Sequence, residues 1–246
     1  MKNQMKVVIA IPARNSEKSI GQVYNELPAE YRKNIVLSDD KSSDSTTKIA
    51  KKLGMKVFKN PRQPGYGSNV KNCFNKALDE GADIVVILHS DNQYDPKKVP
   101  QLVSPIEDGE ADFTIGSRIL GDKAESMSGF RFIGNRLLGF IENIAMGTNL
   151  TDLHSGMVAL RADLLKKIPF NLNSDDYGFH TDIVLQSHYA GARFMEIGIP
   201  TVYEDISTSI SVYKSIIYGF RTMQMVLKYL LQKFKIMEFD EFKIKK

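Results

Sequence analysis

The chain has 246 residues, 42% hydrophobic and 25% charged, which suits one α/β domain or one domain with a tail and excludes a disordered or repeat protein. Its net charge of +4 sits at one end: Ser211 to Lys246 holds 8 Lys+Arg against 3 Asp+Glu, which argues against a nucleic-acid-binding core and for a surface-seeking C-terminus. A single cysteine, Cys73, excludes an internal disulfide, no signal peptide precedes the first strand, and no stretch reaches the roughly 18 apolar residues of a spanning helix, so a cytoplasmic location is expected.

Strand-like and helix-like segments alternate from the start. Lys6–Ile11 reads as a buried strand, followed by Pro12-Ala13-Arg14-Asn15 and a helix to about Leu27. Asn34–Ser38 is a second strand ending on Asp39-Asp40; a helix capped near Ser43 or Asp44 then runs to Leu53, with Gly54 as its stop. Lys56–Phe58 is a short third strand, and after a loop a helix from Ser68 to Glu80 stops at Gly81. Asp83–His89 is a continuous apolar strand, followed by a helix around Lys97–Glu107 and a strand at Asp112–Gly116. The second half is less regular: a helix from about Phe130 to Met146, the segment Ser155–Leu160, and an aromatic and acidic loop at Asn173–Tyr177. Short apolar strands alternating with helices predict a mainly parallel sheet covered on both faces. Residues 1–210 read as one domain and 211–246 as a basic tail.

In such a sheet, ligands bind outside the C-terminal ends of the strands. The polar clusters there are Pro12–Asn15, Asp39-Asp40, Ser90–Gln93 and Ser117-Arg118. Asp91 and Gln93, two positions apart on an extended chain, can point to one side and offer the oxygen ligands that Mg²⁺ or Mn²⁺ prefers. The plain alternative is a polar loop capping the next helix. Two adjacent carboxylates, Asp39 and Asp40, exceed what a helix cap needs and could accept from nucleobase N–H and ribose hydroxyl groups. Gly65 and Gly67 either let backbone approach a ligand or make a turn.

Together these segments resemble the inverting family 2 glycosyltransferases, and within them the branch of dolichyl-phosphate mannose and glucose synthases. The family's Pro-Ala-x-Asn-x-Glu pattern is Pro12-Ala13-Arg14-Asn15-Ser16-Glu17, and its Asp-Asp-Gly-Ser-x-Asp-x-Thr pattern is Asp39 to Thr46 with Lys41 in place of glycine. Its donor loop is matched by Gly65–Asn69, its Gly-Ser-Arg by Gly116-Ser117-Arg118, and a later Asp-x-x-Ser-Gly by Asp152 to Gly156. The resemblance covers roughly residues 6–210. It implies a GT-A fold, a nucleotide-diphosphate sugar donor (UDP- or GDP-sugar) and a divalent metal. Carried over position by position, it implies nucleotide-sugar contacts at Pro12, Ala13, Asn15, Glu17, Asp39, Asp40, Gly67, Ser68, Asn69, Ser90 and Asp91. The family's metal motif is Asp-x-Asp with a glutamine two residues on. Here Asp91 and Gln93 match, while His89 replaces the first acid with a ligand that carries no negative charge, so Asp91 is favoured over His89.

Sugar transfer must stabilise a diphosphate leaving group, and Arg118 and Arg131 are the candidate cations. A lipid-phosphate acceptor arrives ionised, whereas a hydroxyl acceptor needs a carboxylate base, for which Asp182 and Asp152 are the candidates. His154, His180 and His188 lack zinc-ligand spacing and read as ordinary polar positions. The expected activity is transfer to polyprenyl phosphate. The alternatives are a hydroxyl of a lipid-linked or surface glycan as acceptor, a sugar-1-phosphate nucleotidyltransferase, and a non-catalytic nucleotide-sugar binder. In the tail, Tyr213, Ile216, Phe220, Met223, Leu227, Leu230 and Phe234 form one helical stripe beside Lys214, Arg221, Lys228 and Lys235. This amphipathic helix suits the cytoplasmic face of a membrane, or a homodimer seam.

Overall fold

The computed structural model describes residues 5–121, 129–200 and 212–245, with side chains from Ile133 onward in the fifth helix and from Ile216 onward in the last. The strands are β1 (Val7–Ala13), β2 (Ile35–Asp39), β3 (Lys56–Lys59), β4 (Ile84–Ile87), β5 (Phe113–Ser117), β6 (Val158–Arg161) and β7 (Phe194–Gly198). The helices are α1 (Ile20–Glu26), α2 (Thr46–Lys52), α3 (Tyr66–Asp79), α4 (Val99–Glu107), α5 (Gly129–Met146), α6 (Ala162–Lys167), α7 (Phe179–Tyr189) and α8 (Val212–Lys233). All seven strands form one sheet in the order β3-β2-β1-β4-β6-β5-β7. β6 runs antiparallel to both of its neighbours; every other pairing is parallel.

Strands β1, β2, β4 and β5 are buried on both faces because both faces are covered. Along β1, Val7, Ile9, Ile11 and Ala13 pack with α1, α2 and α4, while Val8 and Ala10 point to the layer of α3, α5, α7 and α8. The chain leaves β1 for β2 on one side and later inserts β4 on the other, so a crevice opens past the ends of these strands. Gly54 and Gly81 close α2 and α3 with φ of 83° and 72°, the left-handed stops their positions predict.

Three departures from the sequence reading matter. First, α3 starts at Tyr66, so Gly67 lies in its first turn and not in the loop ahead of it. Second, the described part of the latter half holds α6, α7 and β7 where irregular chain was expected. Helix α7 buries Thr181, Asp182, Gln186 and Ser187 as well as its apolar side chains, so no single apolar stripe reveals it. Third, the described tail shares the core of the sheet: Met225, Val226 and Tyr229 of α8, and Phe242 beyond it, are buried in the α3–α7 layer. Most of the stripe read from sequence lies on the outer face of α8, while its Leu230 packs against the core. Ile216, Phe220, Met223, Leu227 and Phe234 are exposed, while Tyr213 and Lys214 lie outside the described side chains.

Candidate active site

The crevice is floored by the ends of β1 and β2. Asp40 is buried, accepting from Asn60 Nδ2 at 2.9 Å and from the Gly65 N–H at 3.1 Å, with Arg14 4.0 Å away at the rim. Asp39 is buried too, yet among the described residues its carboxylate accepts only two long contacts of 3.4 Å from the Ser42 N–H. A buried carboxylate with such weak partners retains acceptor capacity. Pro12 and Ala13 pair with Ser38 and Asp39 across the parallel ladder, holding the two strand ends level.

Beside this floor, the loop of residues 42–45 is built by the opening motif. Asn15 Oδ1 accepts the Ser43 N–H at 2.9 Å, and Glu17 Oε2 accepts the Ser45 N–H at 2.9 Å. Both side chains, expected at the donor, are thus engaged in holding the loop. Lys41, which stands where the family has glycine, has φ 59°. An L-residue in that region costs roughly 1–2 kcal/mol, which explains the family's glycine.

At the mouth of α3 the glycines serve close approach. A Cβ on Gly65 would lie 2.4 Å from the Asp175 carbonyl oxygen, and one on Gly67 would lie 2.2 Å from that of Ser174. The 174–176 loop therefore sits directly on the first turn of α3. Lys71, 2% exposed, clamps it through Asn173 O and Asp175 Oδ1, each at 2.6 Å. Ser68 and Asn69 are buried: Ser68 Oγ accepts from Asn60 Nδ2 at 2.8 Å, and Asn69 Nδ2 donates to Ser38 O at 3.0 Å.

The loop after β4 brings the metal candidates to the opposite wall. Asp91 is exposed, with one oxygen accepting the Gln93 N–H at 3.1 Å, and Asn92 adopts φ 61° to make that turn. Ser90 is buried, its hydroxyl 2.7 Å from that of Ser16, which ties this loop to the one after β1. His89 turns inward. Its Nε2 lies 3.2 Å from the Tyr66 hydroxyl, its ring meets Tyr94 edge-on, and a Cβ on Gly156 would fall 2.5 Å from it. Tyr66 reaches His180 Nε2 on its other side at 2.7 Å and stacks on Tyr177 at 5.3 Å. Burial lowers His89 and pushes His180 down to about 3, so both imidazoles are neutral and the hydroxyl can donate to one and accept from the other. Burial, then the charge of Asp91, holds the Tyr177 hydroxyl above its usual range while Arg14 opposes. Neither Tyr66 nor Tyr177 is a candidate in the sequence reading; the first lies inside the Gly65–Asn69 segment and the second in the aromatic 173–177 loop.

The oxygen donors Asp91 and Gln93 are of the kind that Mg²⁺ or Mn²⁺ prefers. His89 has its Nε2 engaged with the Tyr66 hydroxyl. Among the described residues no group of three or more His, Cys, Asp or Glu converges to hold an ion by itself.

The remaining candidates form a second buried layer. Asp152 is gripped by Arg118, which donates its backbone N–H at 2.9 Å and Nε at 2.7 Å to Oδ2 and a terminal nitrogen at 2.7 Å to Oδ1. Burial alone would raise the Asp152 carboxyl; the Arg118 hydrogen bonds and charge more than reverse it, holding it below the usual range. Asp182 is 6% exposed and accepts the Ser174 N–H at 2.7 Å; burial raises it. His154 corrects the reading of it as an ordinary polar position. It is buried between Glu142 Oε2, 3.2 Å from Nε2, and the Tyr218 hydroxyl, 2.7 Å from Nδ1. Burial pushes this imidazole down, but Glu142 and then Asp152 outweigh it and keep it above its ordinary value. Glu142 also accepts from the Thr181 hydroxyl at 3.0 Å. His180 is likewise corrected, being part of the Tyr66 cluster, and His188 Nδ1 meets the Tyr229 hydroxyl at 2.8 Å. The Arg131 side chain lies outside the described residues.

A mainly parallel sheet flanked by helices, with carboxylates at its strand ends, is the architecture of the GT-A glycosyltransferases. The sequence matches Glycosyl transferase family 2 over residues 8–169, and the chain belongs to that family. It is 34% identical over 94% of its length to an uncharacterised protein of Methanocaldococcus jannaschii, covering 93% of that protein. It is 28% identical over 90% of its length to a UDP-N-acetylglucosamine–dolichyl-phosphate N-acetylglucosaminyltransferase of Methanococcus voltae, covering 94% of that enzyme. Among solved structures it is similar to glucosyl-3-phosphoglycerate synthase from Mycobacterium tuberculosis in complex with Mn²⁺, uridine diphosphate and glucosyl-3-phosphoglycerate, with TM-score 0.69 at 19% identity, over 95% of this chain and 81% of that one.

Proposed function

We propose that this family 2 glycosyltransferase transfers a sugar, with inversion, from a UDP- or GDP-sugar to a polyprenyl-phosphate acceptor at a membrane face. The observation that carries the acceptor is the state of the two expected bases. Asp152 is held by three hydrogen bonds from Arg118, and Asp182 is buried and bonded to the Ser174 N–H. Neither is placed to take a proton from a hydroxyl over the crevice. A lipid phosphate brings its own anionic nucleophile and needs no base. The similarity to a dolichyl-phosphate enzyme over nearly the whole chain supports the same acceptor chemistry.

In this reading Asp39 receives donor N–H or hydroxyl groups, with Arg14 at the rim. Asp91 and Gln93 hold Mg²⁺ or Mn²⁺, which supplies positive charge to the departing diphosphate. Arg118, oriented by Asp152, adds cationic charge in the same region, and Arg131 is proposed for the acceptor phosphate. The division of labour between residues 1–210 as the catalytic unit and 211–246 as the membrane-seeking part belongs to the same proposal.

The test is incubation with labelled UDP- and GDP-sugars, Mn²⁺ and a polyprenyl phosphate. Organic-soluble label is expected, and Asp91→Ala should lower it by at least about a hundredfold without changing the circular dichroism. Label appearing on a glycan hydroxyl and not on lipid phosphate would overturn the acceptor; wild-type turnover by Asp91→Ala would overturn the metal loop.

A further inference from the structure

Residues 151–156 lie between α5 and β6 and are fastened at both ends. Glu196 of β7 accepts the backbone N–H groups of Thr151 and Asp152 at 2.7 and 2.9 Å, and the Gly156 N–H donates to the Tyr94 hydroxyl at 2.9 Å. Between these points Asp152 holds Arg118, while His154 reaches into the junction of α5, α7 and α8. There its Nε2 lies 3.2 Å from Glu142 Oε2, and its Nδ1 lies 2.7 Å from the Tyr218 hydroxyl. Glu142 is fully buried; its Oε1 accepts from the Thr181 hydroxyl, and no hydrogen bond from elsewhere reaches Oε2 or Nε2.

Counting charge decides the state of this ring. Among the described residues, the charged groups that act on His154 are Glu142 from α5, Asp152 from its own loop and Arg118 from the end of β5. Tyr218 and Thr222 of α8, with Thr181 and the neutral His180 of α7, complete its surroundings. A carboxylate taken out of water needs a cation to answer it. Arg118 is engaged by Asp152, so the cation that answers Glu142 is the imidazole itself. Burial pushes the ring down, yet Glu142 and then Asp152 outweigh it and hold it above its ordinary value.

We propose that His154 is a positioning residue of the donor site: as an imidazolium it balances Glu142 beneath the crevice, so that Arg118 keeps its charge for the donor diphosphate. His154 meets no reacting atom and acts through the Asp152–Arg118 pair. When its proton passes to solvent, one uncompensated negative charge is added beside that pair. The attraction of this buried layer for an anion in the crevice then falls. The folded value lies above the unfolded one of about 6.5, so the effect is fully present below that pH and is lost as pH rises through the folded value.

This role rests on the proposal that Arg118 lies beside the diphosphate, and Arg118→Gln/Asp152→Asn, which neutralises that pair without stranding a charge, separates the two. Affinities of the full chain for UDP and GDP, and for uridine and guanosine, are measured with Mg²⁺ from neutral to alkaline pH. The preference for diphosphate over nucleoside is expected to fall about tenfold on the alkaline side. Glu142→Gln/His154→Gln removes both charges of the buried pair, so it should keep the neutral-pH preference and lose the alkaline fall. The same variant controls for ionisation of the nucleotide. The chain has four histidines, so the imidazole signal missing from this variant identifies His154 in proton–carbon NMR spectra, and it should be protonated at pH 7. A neutral His154 at pH 7 would overturn the inference, as would a wild-type pH dependence in the Glu142→Gln/His154→Gln variant. An unchanged diphosphate preference in Arg118→Gln/Asp152→Asn would remove Arg118 from the donor site and the inference with it. A lowered preference there, with no alkaline fall in the wild type, would sink the role of His154 alone.

Discussion

Asp152→Ala should cost this protein a large part of its stability, and the reason can be worked from three distances. The carboxylate accepts from Arg118 at 2.9, 2.7 and 2.7 Å, with Arg118 8% and Asp152 3% exposed. Opposite charges about 4 Å apart at an effective dielectric near 20 attract by about 4 kcal/mol. Removing one member of a buried pair strands the other charge away from water and typically costs about 3–5 kcal/mol. Since folded domains are stable by roughly 5–15 kcal/mol, the variant should unfold at least about 1 M earlier in urea. The chain has no tryptophan but 10 tyrosines, so far-UV circular dichroism with tyrosine emission is the suitable pair of probes. The pH dependence has a definite sign. The Asp152 carboxyl is lowered in the folded state, so its contribution is fully present above the unfolded value of about 3.9 and is lost as pH falls through the lower folded value. The wild type should lose stability across that acid window more steeply than Asp152→Asn, which lacks the titrating group. A urea midpoint for Asp152→Ala within experimental error of wild type would refute the reasoning, because the pair would then contribute nothing.

Two further changes test the backbone around the crevice. Gly67→Ala places a methyl 2.2 Å from the Ser174 carbonyl oxygen and 2.7 Å from that of Asp176, atoms that cannot swing away as a side-chain tip would. A loss of about 1–3 kcal/mol is expected, with faster proteolysis in the 173–178 loop; an unchanged melting temperature would show that the loop yields freely. Lys41→Gly should raise stability by about 0.5–1 kcal/mol, because the left-handed φ of 59° is strained for lysine and open to glycine. A fall in melting temperature would mean that the lysine side chain contributes more than its backbone costs.

How much of this was legible follows from where the information resides. Strands β1, β2, β4 and β5 are apolar on both faces, and the glycines after α2 and α3 are local stops, so the first half of the fold can be read from neighbouring residues. The carboxylates at strand ends could be found for the same reason: topology places whatever follows a buried parallel strand at the crevice. What Asn15, Glu17 and Gly67 do there could not be found, because their partners at 43, 45 and 174 lie far along the chain. Helix α7 stayed hidden because a helix buried on all sides has no period to detect. His89 and His154 illustrate the limit most directly. Each is a single polar letter in sequence, and only the fold surrounds one with tyrosines and sets the other against a buried glutamate. The stripe on α8 marks the same boundary. Periodicity alone determines that a helix has an apolar side, but which way that side faces is decided by packing. Here the core claims the opposite side through Met225 and Tyr229 and leaves Phe220 outside.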